Sequence, residues 1–337
     1  MADTHHQNKQ LVHAFLKAIN QALFDRSDVK SVVEQYCDAH MVWNGSKPFD
    51  ELQGTEVWLN TFWQPLIHAF PDLEDRPYLL ISGPFKGRDW VSLTGNLVGT
   101  FEEDWLGIPA NDQCVWIRYG IFYEVKDAKI VWAHCMLDML DVMRQAGFRW
   151  FPNRAPEILI PAPMTGDGIL LEETDEEESF RSLKLVEDML TGLMEFDGVT
   201  IESMGQTRFW HKNMMWYGPA GTGSTRGLKG FEKYHQTPFL KGFADRKGGH
   251  HVARFGDGKY CCSTGWPSIY ATHNGDDWMG IKATHKKITM RVMDFWRREE
   301  NLLVENWVFI DNVDLLQQMG IDVFEKLEAA CFTNNNH

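Results

Sequence analysis

The chain repeats itself. Shifted by 173 residues, 107–147 (GIPANDQCVWIRYGIFYEVKDAKIVWAHCMLDMLDVMRQAG) lies on 280–320 (GIKATHKKITMRVMDFWRREENLLVENWVFIDNVDLLQQMG) without a gap, and ten of 41 positions are identical. Arg118 falls on Arg291, Phe122 on Phe295, Asp138 on Asp311 and Gly147 on Gly320. The same shift lays Trp43 on Trp216, Gly45 on Gly218, Pro65 on Pro238 and Phe70 on Phe243. An ungapped run with an upstream series in register is the mark of a tandem duplication, so one fold must account for both halves. The 337 residues suffice for two domains, each with its own core. The expected division is a first domain over 1–150, a linker over 151–178, a second domain over 179–330 and a disordered tail over 331–337. The linker is Pro-rich at its start and acidic from Glu172 to Glu178.

Each half reads in the same order. Apolar residues at three- and four-residue spacing predict helices over 11–24 and 182–196, followed by shorter helical segments over 55–70 and 230–243. Strand-like runs follow at 89–101, 113–125 and 129–140, and again at 259–273, 286–298 and 301–311. The last two runs in each half are joined by the short charged turns KDA and REEN, as in a hairpin. Helices first and consecutive strands afterwards predict α+β domains with an antiparallel sheet.

Formal charge is −14, which disfavours a nucleic-acid backbone or an anionic membrane as partner. No run of 18 apolar residues occurs, and the start MADTHHQNKQ lacks the pattern of a secretory signal. The six cysteines form no CxxC pair, so a reduced, cytoplasmic setting is expected. No HxH, HxxxH or HExxH pattern is present, and GPAGTGSTRG (218–227) lacks the Lys-Ser/Thr of a phosphate loop. Neither a metal nor a nucleotide is expected.

Strand alternation marks candidate chemistry. Leu303, Glu305, Trp307, Phe309 and Asp311 share one face of their strand; in the first half Ile130, Trp132, His134, Met136 and Asp138 do so. On the preceding strand Met290, Val292, Asp294 and Trp296 share a face. If these faces meet, Asp294 and Asp311 line one cavity, and two carboxyls there would have pKa values pushed apart, as general acid–base work requires. The first half has Ile121 in place of Asp294, so only the second half holds the pair. Asp138 and Asp311 also precede the apolar segments MLDVMRQAG and NVDLLQQMG, where an Asp serves as a helix N-cap; both readings stand. Trp216, Trp266, Tyr270, Trp307 and Arg291 are candidate pocket walls, with Trp43 and His134 in the first half. His251 or His273 is a candidate donor to a bound carbonyl.

VENWVFIDNVDLLQQMG, after the GIKATHKKITMRVMDFWRRE hairpin, resembles the SnoaL-like polyketide cyclase family of the nuclear transport factor 2-like superfamily. AFPDLEDRPYLL, GTFEEDWLGIPA and IVWAHCMLDMLDVMRQAG resemble a second, diverged copy. The resemblance implies two tandem cone-shaped α+β barrels, each with helices against a curved antiparallel sheet and an apolar pocket at its open end. It further implies a cofactor-independent acid–base reaction of cyclase, isomerase, dehydratase or hydrolase type on a small, mostly apolar carbonyl compound. Asp311, and Asp138 in the first half, match the family's acid–base aspartate. The family's histidine on the neighbouring strand has no match in ITMRVMDFWRR, where Asp294 is the nearest substitute. The alternative is a small-molecule-binding or interaction module without chemistry. Single cones of the family commonly pair, so the two halves are expected to pair as an internal pseudo-dimer or to join a homo-oligomer.

Overall fold

The computed structural model describes residues 2–151, 154–276 and 278–334 and, within them, the side chains of residues 4–332. In the first half, helices α1 (Ala2–Phe24) and α2 (Val29–Tyr36) precede strands β1 (Cys37–Gly45) and β2 (Glu51–Gln53). Next comes a broken helix: α3 (Thr55–Trp58), a π-helical turn (Leu59–Trp63) and α4 (Gln64–Ala69). Strands β3 (Glu74–Phe85), β4 (Arg88–Thr100), β5 (Cys114–Lys126) and β6 (Lys129–Leu137) follow, then α5 (Met139–Gln145). The second half repeats this with α6 (Glu176–Leu193), β7 (Trp210–Tyr217) and β8 (Ser224–Arg226). Its broken helix is α7 (Gly227–Phe231), a π-helical turn (Glu232–Gln236) and α8 (Thr237–Gly242). Strands β9 (Lys247–Gly248), β10 (His251–Asp257), β11 (Tyr260–Thr272), β12 (Lys287–Glu299) and β13 (Leu302–Ile310) come next, with α9 (Asn312–Met319) and α10 (Val323–Asn334) last.

The sheets run β2-β1-β6-β5-β4-β3 and β10-β11-β12-β13-β7-β8. Pairing is antiparallel except for β1 with β6 and β13 with β7, which are parallel. The six strands expected from the sequence are present, and so are strands it did not disclose. β1 reads CDAHMVWNG, polar at its start and without alternation. β3 carries Pro77 and Pro84, which its place at the sheet edge tolerates. Gly45 and Gly218, equivalent under the repeat, are glycines for one reason: a Cβ would lie 2.3 Å from the Trp43 ring at the first and 2.2 Å from the Trp216 ring at the second. Gly218→Ala is expected to destabilise the protein by about 1–3 kcal/mol, as read from denaturant unfolding.

Residues 154–175 run extended along the molecule. Leu80 N–H donates to Gly168 O (2.8 Å) and Leu170 N–H to Leu80 O (3.0 Å), so this segment is bonded to β3. Glu176–Glu178, the end of the acidic run, form the first turn of α6 behind its N-cap Asp175, where carboxylates meet the positive end of the helix dipole. Residues 331–334 of the expected tail are the last turn of α10; residues 335–337 lie outside those described.

Both faces of each sheet are buried. One face turns to the helices of its own half. The other meets the opposite half in a shared core containing Leu79, Ile81, Trp90, Phe122 and Met136 on one side and Phe255, Met293, Phe295, Trp307 and Phe309 on the other. Phe122 sits 5.7 Å from Phe295 and 6.2 Å from Phe255, ring to ring.

Candidate active site

The register of β12 on β13 decides what enters the second cone. Asp294 pairs with Val308, Trp296 with Asn306, and Val292 with Ile310; paired residues share a face. That face turns to α6 and the broken helix. With Trp216, Phe231, His235 and Phe239 it lines a partly open cavity of about 170 Å³. The intervening residues face the other way: Phe295 pairs with Trp307 and Met293 with Phe309, all four in the core between the halves. The expectation that Asp294 and Asp311 line one cavity is therefore corrected. The two strand faces were matched one residue out of register, and one residue inverts a strand's sidedness.

Asp294 is half-buried and lines the cavity. Burial pushes its carboxyl up to about 7, partly offset by the Asn306 hydrogen bond and the positive charge of Arg254. Asn306 Nδ2 donates to Asp294 Oδ1 at a long 3.4 Å and to Phe295 O at 3.1 Å, so the carboxyl is held but not saturated. Among the cavity's lining residues, Asp294 is the only acid and His235 the only imidazole. His235 was not anticipated. It sits in the π-helical turn, stacked on Trp216 with ring centroids 4.1 Å apart and planes at 26°. Burial lowers its pKa to about 3, which keeps the ring neutral. The available signal was its offset: His235 aligns with Phe62 under the same 173-residue shift.

The first cone is built from the same positions with other side chains. Where the second has Asp294, Asn306 and His235, the first has Ile121, Ala133 and Phe62. Phe62, Trp43, Trp58 and Trp63 pack together and leave a cavity of about 20 Å³, room for about one water molecule. It does hold a buried acid the sequence reading missed. Asp75 Oδ1 accepts from Tyr119 Oη at 2.6 Å, its backbone is clamped by Asn20, and burial raises its pKa to about 7. Asp75 escaped notice because its strand, β3, did.

The remaining sequence candidates lie elsewhere. Asp138 and Asp311 are N-caps that also tie the halves together. Asp138 Oδ1 accepts from Asp141 N and its Oδ2 from Ala220 N at 2.9 Å; Asp311 Oδ1 accepts from Asp314 N and its Oδ2 from Lys47 N at 3.0 Å. Lys47 and Ala220 are themselves equivalent positions, so the two ties are symmetric. Arg291 reaches Asp311 (3.3 Å) and Asp50 (3.4 Å) and lies over Trp266, which packs on His134 at 5.0 Å. These residues, with Trp307, belong to the contact between the halves. His251 is bonded to Arg254 and Ser263. His273 is bonded to Thr284 beside Phe243, and Tyr270 is 41% exposed. None of the three lines the cavity; Trp216 does, and Trp43 lines its small counterpart. Asp311→Asn puts an N–H where Oδ2 accepts one, so about 1–3 kcal/mol of stability should be lost without the rate loss expected of a proton-transfer group. Unfolding curves beside turnover per folded molecule check this.

A larger groove, of about 820 Å³, lies outside the cones between residues 161–165 and strands β7 and β13. Its buried Glu305 is saturated by Arg297, Tyr217 Oη and the Met164 N–H. Among the described residues, no three His, Cys, Asp or Glu side chains group to hold a metal ion. No described helix is long and apolar enough to cross a membrane.

The family model described as SnoaL-like polyketide cyclase matches twice, over residues 14–146 and 204–319. No curated protein matches the chain. Among solved structures, a candidate SnoaL-like polyketide cyclase from Jannaschia sp. CCS1 is 19% identical, with 43% of this chain covering 95% of that one at a TM-score of 0.36. AclR, a candidate hydroxylase from Streptomyces galilaeus, is 17% identical over 42% of this chain and 95% of its own, with a TM-score of 0.35. IdmH, a candidate polyketide cyclase from Streptomyces antibioticus, is 18% identical over 40% and 98%, with a TM-score of 0.34. Each is spanned almost whole by less than half of this chain. The two family matches fall one on each half, and the protein belongs to the SnoaL-like polyketide cyclase family as a tandem, two-domain member.

Proposed function

We propose that the second half is a cofactor-independent acid–base enzyme acting on a small, mostly apolar carbonyl compound, with Asp294 moving the proton. The observation that carries this reading is a carboxyl exposed to an apolar cavity, bonded only loosely, with a pKa near neutrality. A group that titrates near the working pH can both take a proton and return it. As carboxylate, Asp294 abstracts a proton from the carbon next to the carbonyl; as carboxylic acid, it returns that proton to another carbon or to an oxygen. Isomerisation consists of these two steps. In dehydration the returned proton goes to the β-hydroxyl, whose C–O bond breaks to release water. In intramolecular aldol ring closure the enolate carbon forms a C–C bond to a second carbonyl of the same molecule, whose oxygen takes the proton.

The filled first cone lacks both the space and the equivalents of Asp294 and His235, which supports a structural role for it. The symmetric ties at Asp138 and Asp311 support pairing of the two halves as an internal pseudo-dimer. The test is exchange of α-protons for deuterium in D₂O, followed by NMR across a set of small cyclic ketones. Enzyme-dependent exchange that is lost in Asp294→Asn is the expected result. Exchange that persists at full rate in that variant overturns the assignment.

A further inference from the structure

We propose that the second cone takes an uncharged molecule of single-ring size, and that His235 donates the hydrogen bond that seats its carbonyl oxygen. The proposal rests on the acid–base reading for what Asp294 does to that molecule, but not for what binds. Size comes first. An engineered apolar cavity of about 150 Å³ holds benzene, whereas drug-sized ligands need roughly 300–1,000 Å³. A cavity of about 170 Å³ fits one ring with small substituents, and three or four fused rings would have to project through its open side.

Charge comes second. The lining contains no Lys or Arg, and Arg254, the cation that acts on Asp294, is not part of it, so an anion in the cavity would meet the Asp294 carboxyl without a cationic partner of its own. An ammonium group would find a single carboxyl that burial already disfavours as an ion.

His235 supplies the third argument. No hydrogen bond joins either ring nitrogen to a described residue; Nδ1 is shut off even from water, so Nε2 is the ring nitrogen that a molecule in the cavity can meet. A buried polar atom left this way costs about 1–3 kcal/mol, so it needs a function or a missing partner. A neutral imidazole has one N–H to give and one lone pair to offer. The Trp216 ring beneath it and Phe231 and Phe239 beside it, at 5.3 and 5.6 Å, restrict its tilt. The π-helical turn that carries it is the same turn that drives Phe62 into the first cone. An aromatic filler position has thus become a polar one, and only in the half whose cavity is open. With the proton on Nε2, a carbonyl oxygen in the cavity is the acceptor that this N–H lacks. Held there, it can take up negative charge when Asp294 removes the neighbouring proton.

The experiment uses the full chain and four probes: cyclohexanone, methylcyclohexane, cyclohexanecarboxylate and a tetracyclic steroid ketone. Binding is followed by tryptophan fluorescence and ligand-observed NMR. Cyclohexanone should bind, and the carboxylate and the steroid ketone should bind at least about tenfold more weakly. His235→Phe should weaken cyclohexanone about tenfold and leave methylcyclohexane unchanged, whereas His235→Gln, which retains an N–H, should restore the ketone. Asp294→Asn should retain cyclohexanone binding. Binding that follows this pattern while no α-proton exchange is seen would leave the present proposal standing and sink the acid–base reading. Failure of cyclohexanone to bind, tighter binding of the anion or the steroid, or an unchanged ketone affinity in His235→Phe would overturn the present proposal. Tighter binding of cyclohexylamine than of cyclohexanone would overturn it equally.

Discussion

Asp294→Asn is expected to lower turnover by about 10²–10⁴-fold, the usual contribution of a positioned general acid–base group, while making the protein more stable at pH 8. The substitution is nearly isosteric, and an amide can still meet Asn306. The stability gain follows from linkage. The carboxyl's folded-state pKa of about 7 lies above its ordinary 3.8, so between these values the folded state holds the proton more tightly than the unfolded state does. The stabilisation from this group is complete below about pH 4 and is lost as pH rises through 7. The full shift corresponds to about 4 kcal/mol. Asn carries no such dependence. Denaturant unfolding of the two proteins at pH 5 and pH 8 should therefore show a gap that opens with pH in favour of the variant. A gap that closes with rising pH would mean that the folded state favours the Asp294 carboxylate.

Trp307→Ala should cost about 3–5 kcal/mol, as removal of a fully buried indole does, against a net stability of about 5–15 kcal/mol for a domain. Trp307 is wholly buried between the halves, with its ring 5.3 Å from that of Tyr217. Its Nε1 donates to Pro161 O at 3.0 Å, so truncation also strips a partner from residues 154–175. The same change should leave turnover per folded molecule close to that of the parent, because Trp307 faces away from the cavity. A stable variant that fails to turn over would instead place Trp307 in the site. Asp294→Asn and Trp307→Ala thus separate the two faces of one sheet, one removing activity and the other stability.

The division between sequence and structure runs along that sheet. The duplication, the order of helices and strands, and the two-residue alternation in β12 and β13 are local or repeated features, and all were legible in the residues. Which alternate set points into the cone was not. In a sheet with one face in water, polar and apolar residues would label the two sides. Here both sides are buried, one under helices and one against the other half, so Leu303–Asp311 and Leu302–Ile310 each read as a plausible interior. The choice is made by the register between β12 and β13 and by the contact between halves far apart in sequence. For the same reason Asp311 matched a family position in the chain yet serves as a cap and a tie, accepting an N–H from Lys47, 264 residues away. His235 lay beyond the strand pattern altogether, in a helix whose π-helical turn no periodicity announces. The residues alone determined that there are two copies of one α+β unit. Only the tertiary structure decided that one is filled by Phe62 and its tryptophans, and that the other holds Asp294 and His235 around an open space. Cavity volume is what remains after distant side chains have packed, and it is written at no single position.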